Sequence, residues 1–127
     1  ETEVVIPRIK SDLLNLLRGI GNGSFSEIDF DISEKTAATV ILTSGGYPEK
    51  YQKGYNISGI EEVDNSLVFH SGTKLDNKEL ITNGGRVLAV TSIANSIEEA
   101  VKESMESCNK INFNKKYYRK DIGQDLL

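Results

Sequence analysis

Two long runs of small and β-branched residues constrain the fold of this chain more than any other feature. TAATVILTS, residues 36–44, runs into Gly45-Gly46, and RVLAVTSIA, residues 86–94, follows Gly84-Gly85. Apolar runs of this length, bounded by glycine, are typical of strands that are buried on both faces. We therefore expect each of these segments to form a buried strand.

Weaker signals predict the remaining strands. LVFHSG, residues 67–72, predicts one more strand, and KLDNKELIT, residues 74–82, predicts a hairpin around its central Asp-Asn-Lys. The β-branched residues 2–6 predict a short strand that Pro7 stops. Residues 47–66 show no clean period and predict a loop. Because short turns join consecutive strands, the sheet is expected to be mainly antiparallel.

Two helices are predicted, one near each end of the chain. Ser11 is expected to cap the first helix, which the glycines at 19, 21 and 23 stop. Ser96 and Glu99 fit a capping box at the start of the second. The apolar positions at helical spacing are Leu13, Leu16, Leu17 and Ile20 in the first, and Ile97, Ala100, Val101, Met105, Cys108 and Ile111 in the second.

The resulting fold class is α+β: a mainly antiparallel sheet of about four to five strands with two helices on one face. The polar and aromatic tail, residues 112–123, is expected to wrap back onto this domain. A chain of 127 residues suits one domain.

Composition removes several classes of function. The formal net charge is −4, whereas a nucleic-acid-binding domain usually carries a basic surplus, so we expect no nucleic-acid partner. No apolar run approaches the roughly 20 residues of a membrane span, and the N-terminus does not resemble a signal peptide. Cys108 is the single cysteine, which excludes an internal disulfide and favours a reducing, cytoplasmic compartment.

No set of catalytic side chains stands out in the sequence. His70 is the single histidine, so a His-rich metal site is excluded, and a hydrogen-bonded histidine within the sheet is the favoured interpretation. Cys108 falls on the apolar stripe of the last helix, where packing is favoured over catalysis. The usual glycine-rich nucleotide-binding loops, GxxxxGK[ST] and GxGxxG, are absent.

Glycines mark three strand ends, and Arg86 stands beside one of them. Gly45-Gly46, Gly72 and Gly84-Gly85 each allow backbone N–H groups to approach an anion, which Arg86 would grip in two-point fashion. The alternative is that these are turn glycines and that Arg86 is a solvated charge at a sheet edge. Spacing alone favours the second interpretation and leaves the first open.

Four ordered motifs resemble one known family. SGGYPEKYQKGYNISG (44–59), VFHSGTK (68–74), TNGGRVLAVT (82–91) and KYYRKDIG (116–123) are similar to the C-terminal part of phosphoribosylamine–glycine ligases, also called glycinamide ribonucleotide synthetases. The opening ETEVVIPRIKSDLL is similar to the segment where the ATP-grasp domain of that family ends. This chain departs from the family pattern at Glu49, at Ser71 and at Glu3, where a glutamine is usual and where the acid alters the local charge.

The resemblance implies a function and a division of the chain. The family joins 5-phosphoribosylamine to glycine with ATP and Mg²⁺ in de novo purine synthesis. Residues 1–21 would be the end of the ATP-grasp domain with a connecting helix, and residues 22–127 the C-terminal domain. The absence of an initial methionine also suggests a piece of a longer protein. The catalytic residues and the ATP and Mg²⁺ sites would then lie outside this chain, and its partners would be the enzyme's own N-terminal and ATP-grasp domains.

The resemblance also orders the candidate substrate-binding residues. Arg86 is the first candidate for the substrate phosphate, helped by the N–H groups of glycines 84, 85, 45 and 46. Arg8 and Lys10 are second candidates because they match the family's PRLK. Lys50 and residues 70–73 are weaker candidates, and Arg119 is expected to pair with Asp121 or with the sheet. The alternatives are an assembly module without ligand contact and an independent anion-binding protein.

Overall fold

The computed structural model describes residues 1–126 and confirms the α+β class. Three α-helices and six strands follow one another, with short 3₁₀ turns at 6–8, 25–27, 60–62 and 124–126. The helices are α1 (Thr2–Val5), α2 (Leu13–Asn22) and α3 (Ile97–Lys110). The strands are β1 (Thr36–Ser44), β2 (Leu67–His70), β3 (Thr73–Asp76), β4 (Glu79–Thr82), β5 (Arg86–Ala94) and β6 (Lys116–Tyr117).

The two long runs form the centre of a four-stranded sheet of order β2-β5-β1-β6, and all its neighbouring strands are antiparallel. The predicted hairpin is present as a separate two-stranded sheet of β3 and β4. The tail also folds back as predicted, because β6 pairs with the end of β1. Strand β5 therefore has a partner strand on each edge, whereas β1 has β5 on one edge and, on the other, β6 only at Thr43 and Ser44.

The core lies between this sheet and α3. Val40 and Leu42 on β1 pair with Val90 and Leu88 on β5, and all four side chains are fully buried in one cluster. Cys108 joins that cluster from α3, as the helical spacing predicts. Side chains alternate between the faces of a strand, so the residues between these positions point to the opposite face of the sheet.

Hydroxyl groups complete the contact between α3 and the sheet. Ser104 donates to the carbonyl oxygen of Ala38 over 3.0 Å and accepts from the backbone N–H of Ser92 over 3.1 Å. Ser66 lies 2.7 Å from the hydroxyl of Ser92 and 2.6 Å from that of Ser107. The predicted apolar stripe of α3 therefore misses two of its buried positions, 104 and 107.

The prediction of a strand at residues 2–6 is wrong. These residues form α1 and the 3₁₀ turn that follows it, and Pro7 lies in the first turn of that 3₁₀ helix, where its missing N–H costs nothing. The backbone carbonyl of Glu3 instead accepts hydrogen bonds from threonine hydroxyls of β1 and β5. Strand propensity depends on context, and here a position on the sheet face prevails over it.

The predicted arrangement of the helices also needs correction. Helix α3 covers one face of the sheet, α1 lies on the opposite face, and α2 packs mainly against the 3₁₀ turn at residues 25–27. Asp12, rather than Ser11, caps α2 by accepting from the N–H of Asn15 over 2.7 Å. Helix α2 continues through glycines 19 and 21 and ends at Gly23, whose φ is +80°.

The predicted capping box of α3 is present, but one of its two hydrogen bonds is shifted by one residue, from Ser96 to Asn95. Ser96 accepts from the N–H of Glu99 over 3.2 Å, while the Glu99 carboxylate reaches back to the N–H of Asn95 over 3.2 Å. Helix α3 ends one residue before the predicted Ile111, which is fully buried beyond the helix.

Candidate functional site

The face of the sheet that is turned away from α3 carries the candidate site. Thr39, Ile41 and Thr43 alternate with the buried residues of β1 and are only half-buried. Helix α1 covers one end of this surface through the carbonyl of Glu3. We call the surface formed by these β1 residues and Arg86 the open face.

A β-bulge places Arg86 on the open face. Leu42 pairs with Leu88, but the next residue, Thr43, pairs with Arg86, so that Val87 is the extra residue. In a regular ladder Arg86 would lie opposite Ser44, whose side chain faces the α3 side. A bulge re-aims the side chains beyond it, and here it turns the arginine toward the open face while Val87 is fully buried.

Arg86 is exposed and stands between two cavities. Within residues 1–126 it forms no salt bridge, whereas Arg119 is held by Asp121. Both cavities share Thr39, Ile41 and Arg86, so they are neighbouring parts of one groove along the open face. An exposed guanidinium with unused donors can bind a planar or tetrahedral anion through two N–H groups.

The first of these, the polar cavity, has a volume of about 280 Å³. Besides the shared residues, its lining consists of Glu1, Glu3, Val4 and Ser71. Glu3 is anchored there because its carbonyl oxygen accepts from the Thr91 hydroxyl over 2.8 Å. A hydrogen bond from its own backbone N–H lowers the pKa of the Glu3 carboxyl below its ordinary value; partial burial opposes this shift, and the positive charges of the amino terminus and of Arg86 support it.

The second, the aromatic cavity, has a volume of about 290 Å³. The side chains that distinguish it are Tyr47, Tyr117, Tyr118, Arg119 and Ile122, with Thr43 at the sheet. The prediction that Arg119 pairs with Asp121 is confirmed, because its Nε and Nη2 donate to the two carboxylate oxygens over 2.9 and 2.7 Å. This pairing leaves Arg86 as the arginine of the groove that has no carboxylate partner within residues 1–126.

The structure brings the three glycine-marked strand ends together at one end of the groove. The hydroxyl of Ser44 donates to the carbonyl of Gly84 over 2.8 Å, and the N–H of Ser44 donates to the carbonyl of Gly85 over 2.8 Å. The N–H of Asn83 donates to the carbonyl of Gly72 over 2.6 Å. The corners are therefore joined to each other beside Arg86.

Close packing explains most of these glycines. A Cβ on Gly72 would lie 2.6 Å from the Cα of Gly84, and a Cβ on Gly45 would lie 2.7 Å from the carbonyl oxygen of Lys115. Gly46 has a φ of +96°. The three bonds that join the corners do not use the N–H groups of Gly84 and Gly85. The role of those N–H groups toward an anion stays a prediction.

Arg8 and Lys10, the second candidates, lie away from Arg86. Arg8 lines a different cavity and donates to the carbonyl of Ser33 over 2.9 Å, and Lys10 forms an exposed ion pair with Asp31 at 3.3 Å. Within residues 1–126, neither residue lines either of the cavities beside Arg86. The structure therefore separates the two groups of candidates that the resemblance placed together.

The weaker candidates occupy the rim of the groove or lie outside it. Ser71 lines the polar cavity. His70 is exposed at the end of β2, and its Nδ1 lies 3.0 Å from the hydroxyl of Thr73, so its hydrogen bond lies at the strand end and not within the sheet. Lys50 lines neither cavity, and its carbonyl oxygen packs against Gly46.

Cys108 has a structural role, as predicted. Burial raises the pKa of its thiol to about 12, although the nearby Lys116 ammonium opposes the shift. Lys116 donates to the carbonyl oxygens of Cys108, over 2.8 Å, and Ile111, near the C-terminal end of α3. A thiol with this pKa is protonated at neutral pH and is a poor nucleophile.

Two further properties concern metals and membranes. Within residues 1–126, no group of three or more His, Cys, Asp and Glu side chains is placed to hold a metal ion. No helix of this part of the chain has the length and apolar character that are needed to cross a membrane.

Sequence reasoning missed the aromatic wall of the groove. Tyr47 and Tyr117 are 70 positions apart, and no local pattern relates them. The pairing of β6 with the end of β1 brings Tyr117 opposite Thr43 and next to the loop that carries Tyr47. The GGYP and KYYR motifs were the only signals available for these two residues.

Fold and groove together define a small α+β domain with one sheet face packed against a helix and the other open around an arginine. A model of the family "Phosphoribosylglycinamide synthetase, C domain" matches residues 37–125. The chain belongs to this family.

Whole-chain comparisons agree with the family match. The chain is 47% identical over its full length to a phosphoribosylamine–glycine ligase of Halalkalibacterium halodurans, and it spans 29% of that protein. It is 40% identical to a bifunctional purine biosynthetic protein of Dictyostelium discoideum, of which it covers 16%. A crystal structure of phosphoribosylamine–glycine ligase from Thermotoga maritima matches with a TM-score of 0.78 and 28% identity over 95% of this chain and 30% of that one.

Proposed function

We propose that this chain is the C-terminal part of an ATP-dependent ligase that joins 5-phosphoribosylamine and glycine to give glycinamide ribonucleotide in de novo purine biosynthesis. The relatives that carry this activity in their names are about three times longer than the region they share with it. The chain would supply one wall of the active site, and the N-terminal and ATP-grasp domains would supply the rest. We infer a cytoplasmic location from the pathway.

Arg86 is the observation that carries the substrate-binding role. A phosphate monoester bears a charge close to −2 at neutral pH and needs a strong positive partner. Arg86 is exposed on the open face, has no carboxylate partner among residues 1–126, and lies where both cavities and the glycine corners meet. Its guanidinium would hold the phosphate by two N–H groups, and the N–H groups of Gly84 and Gly85 would assist.

ATP and Mg²⁺ are assigned to the part of the ligase outside this chain. Mg²⁺ is bound mainly by carboxylates and substrate phosphates, and the residues that the structure describes contain no suitable cluster. These residues therefore do not fit the metal. The role left to this chain is to bind and orient substrate and to exclude water from the groove.

An assembly module is the second candidate function. Helix α2 exposes Leu14, Leu17 and Ile20 at 69%, 56% and 62%, although an apolar stripe of this kind normally faces a core. This surface favours contact with another domain or subunit. It lies on an element that packs against the turn at residues 25–27. Both functions are compatible in one domain, and Arg86 distinguishes them because only substrate binding depends on it.

A chimeric enzyme tests the proposed function. This chain would replace the corresponding C-terminal 29% of the Halalkalibacterium ligase. We expect the chimera to release phosphate in a reaction that depends on ATP, glycine and 5-phosphoribosylamine, and the isolated chain to show no turnover. A folded chimera without ligase activity, or robust turnover by the isolated chain, would contradict the proposal.

A further inference from the structure

The aromatic cavity differs from the polar cavity in its charge and in its walls. Tyrosine rings and Ile122 form most of the walls, and the charged side chains of the lining are Arg86 and Arg119. Arg119 is paired with Asp121, so Arg86 supplies the free positive charge. Among residues 1–126, no carboxylate side chain lines this cavity, whereas two line the polar cavity. The aromatic cavity is therefore matched to a ligand that is anionic at one end and planar and apolar at the other.

Two of the tyrosine side chains are held in place by contacts of their own. The ring of Tyr47 packs edge to face on Tyr51, with ring centroids 6.0 Å apart and an interplanar angle of 63°. On the other side of the cavity, the hydroxyl of Tyr118 donates to Oδ1 of Asn109 over 2.5 Å. The walls are thus formed before a ligand arrives, which lowers the entropy that binding costs.

Ring surface remains uncovered on both sides of the cavity. Tyr47 is 41% exposed on the loop after β1, and Tyr117 is 59% exposed on β6, which pairs with the end of β1. Exposed aromatic surface beside a cavity is typical of ligand sites, and a second ring can stack on it.

The size of the cavity limits what can enter it. Its volume of about 290 Å³ lies at the lower end of the range for ligand pockets, about 300–1,000 Å³. It can therefore hold one ring system but not a complete nucleotide. The anionic group of such a ligand then lies at Arg86, where the aromatic cavity borders the polar cavity.

We propose that the aromatic cavity binds the base of a nucleoside monophosphate whose phosphate is held by Arg86. The inference rests on the phosphate role of Arg86 in the proposed function and goes beyond it, because 5-phosphoribosylamine has no ring that could fill this cavity. The two ligands use the same guanidinium and exclude each other. A nucleoside monophosphate is thus a competitive inhibitor with respect to 5-phosphoribosylamine, and the tyrosines are the residues that select it.

Three compounds provide matched probes. AMP carries a ring, a ribose and a phosphate, ribose 5-phosphate lacks the ring, and adenosine lacks the phosphate. Each is titrated at pH 7 into the isolated chain while amide resonances are followed by NMR. The isolated chain is suited to this test because the ATP site of the ligase is assigned to the part outside it.

Four variants separate the two ends of the ligand. Tyr47→Leu and Tyr117→Leu each remove one ring of the cavity from a different element, and Arg86→Ala removes the phosphate partner. Phe25→Leu is the control, because this ring is 43% exposed and lines neither cavity beside Arg86.

AMP should bind about five- to fifty-fold more tightly than ribose 5-phosphate, the range expected for stacking of one base on an aromatic side chain. Each tyrosine variant should reduce this preference by about three-fold or more. Its unchanged affinity for ribose 5-phosphate shows at the same time that the variant is folded. Arg86→Ala should weaken both phosphates and leave adenosine unaffected, and Phe25→Leu should change none of the three affinities.

Equal binding of AMP and ribose 5-phosphate, or a preference that survives in both tyrosine variants, overturns the base site and leaves the phosphate role of Arg86 intact. Absence of any response to either phosphate overturns both. In the chimeric ligase at saturating ATP, AMP should raise KM for 5-phosphoribosylamine without lowering kcat, and less so in Tyr117→Leu. Absence of that effect would show that the rest of the ligase fills the cavity, and it would overturn the inference for the complete enzyme.

Discussion

The ring of Tyr47 lies directly against Gly85. A Cβ on Gly85 would stand 2.1 Å from Cδ2 of that ring, closer than two carbon atoms can approach. This contact connects the GGYP loop to the corner that precedes Arg86, and it forms part of the wall of the aromatic cavity. The glycine thus leaves room for a neighbouring side chain, and its backbone angles do not call for a glycine.

Two glycine substitutions should consequently have different effects. Gly85→Ala displaces the Tyr47 ring, which is 41% exposed and can swing outward, so we expect the free energy of unfolding to fall by less than about 1 kcal/mol. Gly46→Ala places a Cβ 2.3 Å from the backbone carbonyl oxygen of Lys50 at a φ of +96°, which should cost about 1–3 kcal/mol. Urea unfolding of both variants checks this, and equal losses would show that Tyr47 cannot move.

Ser104 should contribute to the stability of the protein although its side chain is polar. It is fully buried, and its hydroxyl serves Ala38 on β1 and Ser92 on β5. Ser104→Ala removes the bonds to Ala38 and to the N–H and hydroxyl of Ser92, and it should lower the free energy of unfolding by about 1–3 kcal/mol. Ser26→Ala, on an exposed turn, is the control and should have little effect. A loss no larger than that of the control would mean that the buried hydroxyls do not stabilise the contact of α3.

Because of Cys108, the free energy of unfolding should depend on pH in the alkaline range. The thiol ionises near pH 9 when unfolded and at about 12 when folded. Between these values the unfolded state releases a proton that the folded state keeps, so stability is complete below pH 9 and falls as pH rises, by at most about 1.4 kcal/mol per pH unit.

Cys108→Ala isolates this effect from the other groups that titrate in the same range. The difference in unfolding free energy between the two proteins should stay constant from pH 7 to pH 8.5 and shrink above pH 9. A difference that is independent of pH up to 10.5 would contradict the burial of an un-ionised thiol.

A substitution in the turn between β3 and β4 should stabilise the protein. Asn77 and Lys78 have φ values of +47° and +72°, the left-handed conformation of a tight hairpin turn in which Asn-Gly is preferred. Lys78→Gly should therefore stabilise the protein by about 0.5–1 kcal/mol. The midpoint of thermal unfolding should rise, while Lys74→Gly, within β3, should lower it. A destabilised Lys78→Gly variant would indicate that the lysine side chain contributes elsewhere.

The central strands, the hairpin and α3 could be predicted because their periodicity is local. Residues 36–44 and 86–94 pair along nearly their whole length in the sheet. The expected burial on both faces is wrong for β1, because buried positions alternate along it with half-buried ones on the open face. The same reasoning failed for residues 2–6, since β-branched residues also fit the short helix that the threonine hydroxyls of the sheet hold in place. Ser104 was missed because its hydrogen-bond partners come from other elements.

The candidate site could be predicted less completely than the fold, because it depends on contacts between distant parts of the chain. Arg86 stood out by its glycine neighbours, but the extra residue Val87, which turns it toward the open face, leaves no mark in the sequence. Arg8 was proposed for the same ligand on resemblance, but one of its Nη atoms donates to the carbonyl of Ser33 and it lines a cavity away from Arg86. The division of residues 1–21 from residues 22–127 stays a prediction.

Arg86→Ala in the chimeric ligase is the most direct test of the central claim that this domain binds the substrate phosphate. We predict that kcat/KM for 5-phosphoribosylamine falls by about five- to 150-fold, corresponding to about 1–3 kcal/mol for a lost charged hydrogen-bond partner. Arg18→Ala, an exposed arginine of α2 that lines neither cavity beside Arg86, should leave it unchanged. An Arg86→Ala enzyme that folds normally and keeps kcat/KM within about two-fold of the parent would contradict the claim and favour the assembly module.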